Sequence, residues 1–166
     1  MGPYGPFRVR GTLGRYGMTE PSGRKSDGVK PGMRMAPPAA VDRLLVVAPN
    51  WLGDAVMALP ALADVARAWP RTVLTVAARA PVAPLFDMVP SVTAVVPSDT
   101  LSAGAQYDAA LLLTNSFHSA LTAWRAGIPE RWGYRRDLRG PLLTRAVAPP
   151  IGVHQARYYQ LLVEAL

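Results

Sequence analysis

One carboxylate stands out among the residues that could do chemistry. In Arg43-Leu-Leu-Val-Val-Ala-Pro-Asn-Trp-Leu-Gly-Asp54, an apolar run leads into a tight polar turn and then to Asp54, which opens a helical pattern. Leu44–Ala48 are apolar without alternation, as in a strand buried on both faces of a parallel sheet. Open α/β sheets bind ligands beyond the carboxyl ends of their strands, so chemistry is expected at this turn. Asp54 could serve catalysis there, or could simply cap the helix, since an acid at an N-cap accepts backbone N–H bonds and suits the positive helix end. The two roles are compatible, because a capping carboxylate is held at the mouth of the sheet. Asn50 belongs to the same turn. Gly53 lets a ligand approach the backbone closely, and Trp51 suits stacking on a sugar face or packing against a neighbouring loop.

A second constellation, Thr114-Asn-Ser-Phe-His-Ser-Ala-Leu121, again follows an apolar run and opens a helix. Free N–H groups at a helix start favour phosphate or carboxylate. Asn115, Ser116 and Ser119 add neutral hydrogen-bonding groups, and His118 adds a titratable donor. Ser116 is equally suited to capping the helix, and His118 to an ordinary surface position. A hydrolase triad is not expected, because the G-x-S-x-G nucleophile elbow is missing. The third constellation, Arg131-Trp-Gly-Tyr-Arg-Arg-Asp-Leu-Arg139, places Arg131, Arg135, Arg136 and Arg139 beside Trp132 and Tyr134. Arginine forks bind phosphate or carboxylate bidentately, and such a run also serves as a solvated loop.

The elements that must carry these groups alternate between strand and helix. Leu44–Ala48 is the first strand, and a helix runs from Asp54 or Ala55 to about Trp69, with Val56, Leu59, Leu62, Ala63, Ala66 and Trp69 as its inner face. Pro60 falls inside it, so the helix is kinked or begins near Leu59. Strands follow at Thr72–Ala78, Thr93–Val96 and Asp108–Leu113, with a short helix over Pro81–Met88 and a loop or short helix over Ser98–Gln106. A helix over Phe117–Ala126 closes at Gly127, Arg131–Tyr134 reads as a short strand, and His154–Leu166 is a final helix. This order predicts a Rossmann-like α/β domain over 41–166, a parallel sheet with helices on both faces.

Composition narrows the function classes. The formal charge is +7 over 166 residues. Residues 1–40 hold seven Lys/Arg and two Asp/Glu, giving +5, together with six Pro and eight Gly. That segment reads as a disordered basic extension, unable to bury enough apolar surface to offset its ordering entropy. The remaining residues carry only +2, with one basic cluster at Arg131–Arg139 and no interleaved aromatic pattern of an RNA-binding sheet, so no nucleic-acid partner is expected. The chain has no cysteine and two histidines, His118 and His154, outside any metal-ligand spacing, so neither a disulfide nor a metal site is expected. Neither G-x-G-x-x-G nor G-x-x-x-x-G-K-[ST] occurs, which disfavours a dinucleotide cofactor. With neither the apolar core of about 7–15 residues that a secretory signal needs nor a run of about 18 apolar residues, the expectation is a cytoplasmic protein.

Taken together, three blocks resemble one family, the ADP-heptose–lipopolysaccharide heptosyltransferases of glycosyltransferase family 9, and within it the heptosyltransferase II branch. Leu44-Leu-Val-Val-Ala-Pro-Asn-Trp-Leu-Gly-Asp-Ala-Val-Met57 is similar to its strand-turn-helix start. Leu113-Thr-Asn-Ser-Phe-His-Ser-Ala-Leu121 resembles its Pro-Asn-Ser-Phe-basic-Ser-Ala-Leu block, with Thr114 where proline is usual and His118 where Lys or Arg is usual. Ala126-Gly-Ile-Pro-Glu-Arg-Trp-Gly-Tyr134 resembles its Ala-Gly-Ile-Pro-x-Arg-x-Gly-[Trp/Tyr] block. The resemblance spans residues 43–166 and implies the N-terminal, acceptor-side half of a GT-B fold.

By the same resemblance, heptose passes from ADP-heptose to the inner core of lipopolysaccharide with inversion, without a metal or other cofactor. Asp54 is the implied general base for the acceptor hydroxyl. Asn50, Trp51, Gly53, Asn115, Ser116, His118, Arg131, Arg135 and Arg136 are the implied acceptor contacts. The amphiphilic acceptor implies peripheral contact with the inner face of the cytoplasmic membrane. Family members are about twice as long, and their C-terminal domain holds ADP-heptose. The expectation is therefore a fragment without turnover of its own; the other readings are a non-catalytic sugar-phosphate or lipid A–core binding module, or an inactive gene fragment.

Overall fold

The computed structural model describes residues 41–101 and 103–166; the extension read over residues 1–40 lies outside them. The described chain runs β1 (Arg43–Val47), α1 (Leu52–Ala68), β2 (Val73–Ala78), α2 (Ala83–Asp87), β3 (Ala94–Pro97), β4 (Ala109–Leu112), α3 (Phe117–Arg125), β5 (Glu130–Tyr134), a 3₁₀ turn (Gly140–Leu142), β6 (Arg145–Val147) and α4 (Gln155–Glu164). All six strands pair in parallel, in the order β3-β2-β1-β4-β5-β6. This is the Rossmann-like sheet expected from the alternation of apolar runs and helical patterns.

The apolar runs of β1 and β4 are explained by burial on both sheet faces. Leu44 and Val46 point to the face covered by α1, α2 and α4, together with Leu74, Val76, Ala109 and Leu111. Leu45 and Val47 point to the face covered by α3, together with Ala77, Ala110, Leu112, Ala123 and Ile128. Gly127 adopts φ +79°, and Ile128 N–H donates to Ala123 O (3.3 Å) while Gly127 N–H donates to Trp124 O (3.0 Å). Gly127, just past the Ala126 C-cap, thus ends α3 in a left-handed turn that favours glycine.

The structure corrects the reading of α1. The helix begins at Leu52, with Trp51 as N-cap and no side-chain cap bond, so Asp54 is the third helical residue and not the cap. The helix continues through Pro60, which is exposed, so water can satisfy the Val56 carbonyl that loses its N–H partner. The buried face is Ala55, Ala58, Ala61, Leu62 and Val65, whereas Val56 and Ala63 face outward. A row of small residues lets the helix lie close to the sheet and to α4, whose Tyr158, Tyr159, Leu162 and Val163 share its core.

At the ends of the sheet, the loop alternative for Ser98–Gln106 holds, and a strand not read from the sequence, β6, is added. Ser98–Gln106 forms no helix among its described residues and crosses from β3 to β4 as a loop. Strand β6 carried no periodic signal because it is only three residues long; it is held by pairing with β5 and by Arg135 N–H donating to Val147 O (2.7 Å). At this edge Trp132 is fully buried, stacked on Trp69 with centroids 5.6 Å apart. Its indole N–H donates to Glu130 Oε2 (2.9 Å), which also accepts from Thr144 Oγ1 (2.9 Å). Burial pushes the Glu130 carboxyl up, but these hydrogen bonds and the Arg145 and Arg131 charges outweigh it and hold the carboxyl below its ordinary value.

Two outcomes follow. In urea unfolding, Ala58→Leu destabilises by about 1–3 kcal/mol through overpacking, while Val56→Ala stays within about 0.5 kcal/mol. The depressed Glu130 carboxyl contributes stability that is full above its unfolded titration range and is lost as the pH falls through its folded value. Acidification from about pH 6 to about pH 3 therefore lowers the melting temperature less in Glu130→Gln than in the wild type.

Candidate functional site

The order of the sheet reverses between β1 and β4, and the turns leaving these neighbouring strands carry the first two constellations. In an open α/β sheet this switch point leaves a crevice beyond the strand carboxyl ends. A cleft of about 240 Å³ lies there, lined among others by Asn50, Arg79, Asp99, Thr114, Ser116 and His118. Ser116 caps α3, its Oγ accepting from Ser119 N–H (3.2 Å), and Ser119 Oγ donates back to Ser116 O (2.8 Å). The N–H groups of Phe117 and His118 have no partner within a helix by its geometry. His118 is exposed, with Nε2 3.4 Å from Thr122 Oγ1.

Asp54 and Asn115 lie on the other side of these turns, toward α4. Burial, reinforced by the Asp54 charge, pushes the Tyr159 hydroxyl up to about 12 against a hydrogen bond with Gln155. Trp51 is 77% exposed, and the space around Gly53 is open. Asn115 reaches α4 through its Oδ1, which accepts from Tyr158 OH (3.2 Å). Tyr134 OH in turn donates to Tyr158 O (2.6 Å).

The arginine run divides three ways. Arg135 and Arg136 are exposed just past the carboxyl end of β5. Arg131 is not brought to the site. It sits near the opposite end of β5, its guanidinium donating to Ile128 O (2.6 Å), Pro129 O (3.0 Å) and Leu142 O (2.6 Å), so it ties loops together and has little left for an acceptor. Arg139 is wholly buried: Nε donates to Tyr134 O (2.9 Å), one Nη to Thr114 O, and the other faces Asn115 Oδ1 at 3.5 Å. A Cβ on Gly133 would meet that second Nη at 3.0 Å, so the glycine leaves the passage for it. Burial lowers the Arg139 guanidinium to about 10, which leaves it cationic at neutral pH.

Residues 101–166 match the sequence profile "Glycosyltransferase family 9 (heptosyltransferase)". Lipopolysaccharide heptosyltransferase 2 of Escherichia coli K12 is 33% identical over 61% of this chain and 33% of the relative. The chain resembles the heptosyltransferases of glycosyltransferase family 9. The solved structure of E. coli ADP-heptose lps heptosyltransferase II superposes with a TM-score of 0.62 at 30% identity, covering 73% of this chain and 40% of that one. A glycosyltransferase family 9 structure from Veillonella parvula superposes at 0.67 and 18% identity over 75% and 40%, which speaks for the fold. The parallel six-stranded α/β unit thus matches one Rossmann-like part of these solved GT-B structures, and the chain spans about a third of the length of the curated relatives it matches.

Sequence reasoning missed Arg79, Asp99, Tyr158 and Tyr159, and it read Arg139 only as one more arginine of a charged run. Arg79 and Asp99 follow the carboxyl ends of β2 and β3 by one or two residues, a position that alone marks ligand contacts in this kind of sheet. The roles of Arg139, Tyr158 and Tyr159 depend on α4 folding back, which no local pattern reveals. Among the described residues, no group of three or more His, Cys, Asp and Glu could hold a metal, and no helix is long and apolar enough to cross a membrane. Ser116→Ala removes the α3 cap and costs about 1 kcal/mol, measurable as a lowered melting temperature.

Proposed function

We propose that this chain is the acceptor-side, base-carrying part of an inverting heptosyltransferase that acts on the inner core of lipopolysaccharide with ADP-heptose as donor. The observation that carries this reading is the switch point. The turn bearing Asp54 and the turn bearing Asn115 and Ser116 leave adjacent strands, in a chain similar to lipopolysaccharide heptosyltransferase 2. Asp54 stands in the first turn of α1, half-buried and without a capping duty, which keeps its carboxylate available as a proton acceptor near the positive helix end.

In the reaction, the acceptor hydroxyl oxygen attacks the anomeric carbon of the heptose as the bond to the ADP oxygen breaks. The hydroxyl proton passes to Asp54, and ADP leaves with the bonding pair. Ser116, His118 and Arg79 line the cleft with donors and one positive charge for an anionic acceptor, and Asp99 adds a carboxylate that can accept from the acceptor's hydroxyls. Arg135 and Arg136 extend that field beyond β5. The reading includes peripheral contact with the inner face of the cytoplasmic membrane. It is supported by exposed apolar side chains in loops past the strand carboxyl ends, Leu138 at 90% and Ile151 at 97%.

The test supplies this chain with the donor-binding domain of a relative, ADP-heptose and a deacylated core acceptor. Asp54→Asn should lower kcat by about 10²–10⁴-fold with little change in acceptor KM. Unchanged kcat would remove Asp54 from the mechanism. Binding of the acceptor by this chain with no turnover under any pairing would favour a sugar-phosphate binding module.

A further inference from the structure

Arg139 is a cation with no exposed surface, and no ion pair among the described residues includes it. Its partners are two backbone carbonyls and the side chain of Asn115. A guanidinium carries donors only, so the Asn115 atom that faces it must be the oxygen. Tyr158 OH reaches the same Oδ1 at 3.2 Å. A carbonyl oxygen has two lone pairs, and here both are engaged. Flipping the amide would set its NH₂ against the guanidinium and leave a buried donor unpaired.

We infer that Arg139 and Tyr158 are positioning residues that lock Asn115 so that its Nδ2 edge, carrying two N–H donors, is presented to an acceptor oxygen of the bound substrate. This rests on the acceptor-side reading above and deepens it. The group recognised is an oxygen with available lone pairs on an anionic sugar, a carboxylate or phosphate oxygen above all, since the charge of Arg139 stands directly behind the amide. The residue type supports the same conclusion. Aspartate at 115 would satisfy Arg139 and Tyr158 at least as well and would neutralise the buried cation, so packing alone gives no reason for an amide. What asparagine has and aspartate lacks is the donor edge.

Two variants of the full chain test this, with deacylated acidic core oligosaccharide as the calorimetric probe and thermal melting as the second readout. Asn115→Asp is expected to melt at or above the wild-type temperature, because a carboxylate now faces Arg139. Asn115→Ala is expected to melt lower, because Arg139 loses an acceptor. Both should bind the oligosaccharide on the order of tenfold to a hundredfold more weakly, the cost of a lost hydrogen bond to a charged group. Wild-type affinity in the alanine variant overturns the donor role. An aspartate variant that melts with or below the alanine variant overturns the lock. A wild-type chain that binds no oligosaccharide overturns the acceptor-side reading and this inference together. A wild type that binds while the alanine variant binds equally well removes this inference alone.

Discussion

Burial of a parallel sheet on both faces is the constraint from which the other features follow. Once β1 and β4 are covered by α1 and α4 on one side and α3 on the other, their side chains are buried except for Arg43 at the start of β1. Polar groups can then gather only where the strands end. The reversal of strand order between β1 and β4 opens that end, because the connections from these two strands depart to opposite faces. The cleft beside Asn50, Ser116 and His118 is thus a consequence of topology before it is a consequence of particular side chains.

Within this frame the site divides in two. The α3 side offers backbone N–H groups, hydroxyls, His118 and Arg79 around a small cleft. The α4 side offers Asp54 and Asn115, each adjoining a tyrosine of α4. Arg139 joins the halves, since it holds the Thr114 carbonyl and faces Asn115 from beneath the turn. A buried guanidinium is costly to desolvate, and its retention here coincides with the one turn whose orientation both halves share. The adjoining chain bears the mark of the same demand. Asp137 and Leu138 stand at φ 49° and 59°, values that residues with a Cβ adopt at a cost of about 1–2 kcal/mol each.

The sheet was legible because apolar runs such as Leu44–Val47 and Ala109–Leu113 are too short for buried helices and are bounded by turn residues such as Pro49, Asn50 and Asn115. The start of α1 and part of its inner face were not: Leu59, Leu62 and Trp69 pack on the core as expected, but Val56 and Ala63 face outward. The buried surface of α1 is made mostly of alanines, which carry little hydrophobic contrast, while the exposed Val56 mimics a core position. Strand β6 was invisible because three residues hold no period. At the site, strand-end position singled out Asp54, Asn115 and Ser116, and the capping role open to Ser116 is the one it fills. Arg131 misled because an arginine in a charge-rich run looks available, whereas three carbonyls occupy it. Arg139, from the same run, is the buried one, and only long-range packing separates the two.

The pairing of α1 with α4 has a consequence for how the molecule is made. These helices share one core, yet on the order of a hundred residues of chain separate them, and every other described element except β1 is synthesised in between. At a translation rate of roughly 5–20 residues per second, the alanine face of α1 waits several seconds outside the ribosome before its partner exists. Contacts so distant in sequence also make closure slow, since the connecting loop must be ordered before they form. The interval leaves part of the apolar face of α1 uncovered, and it ends when Tyr158 and Tyr159 arrive.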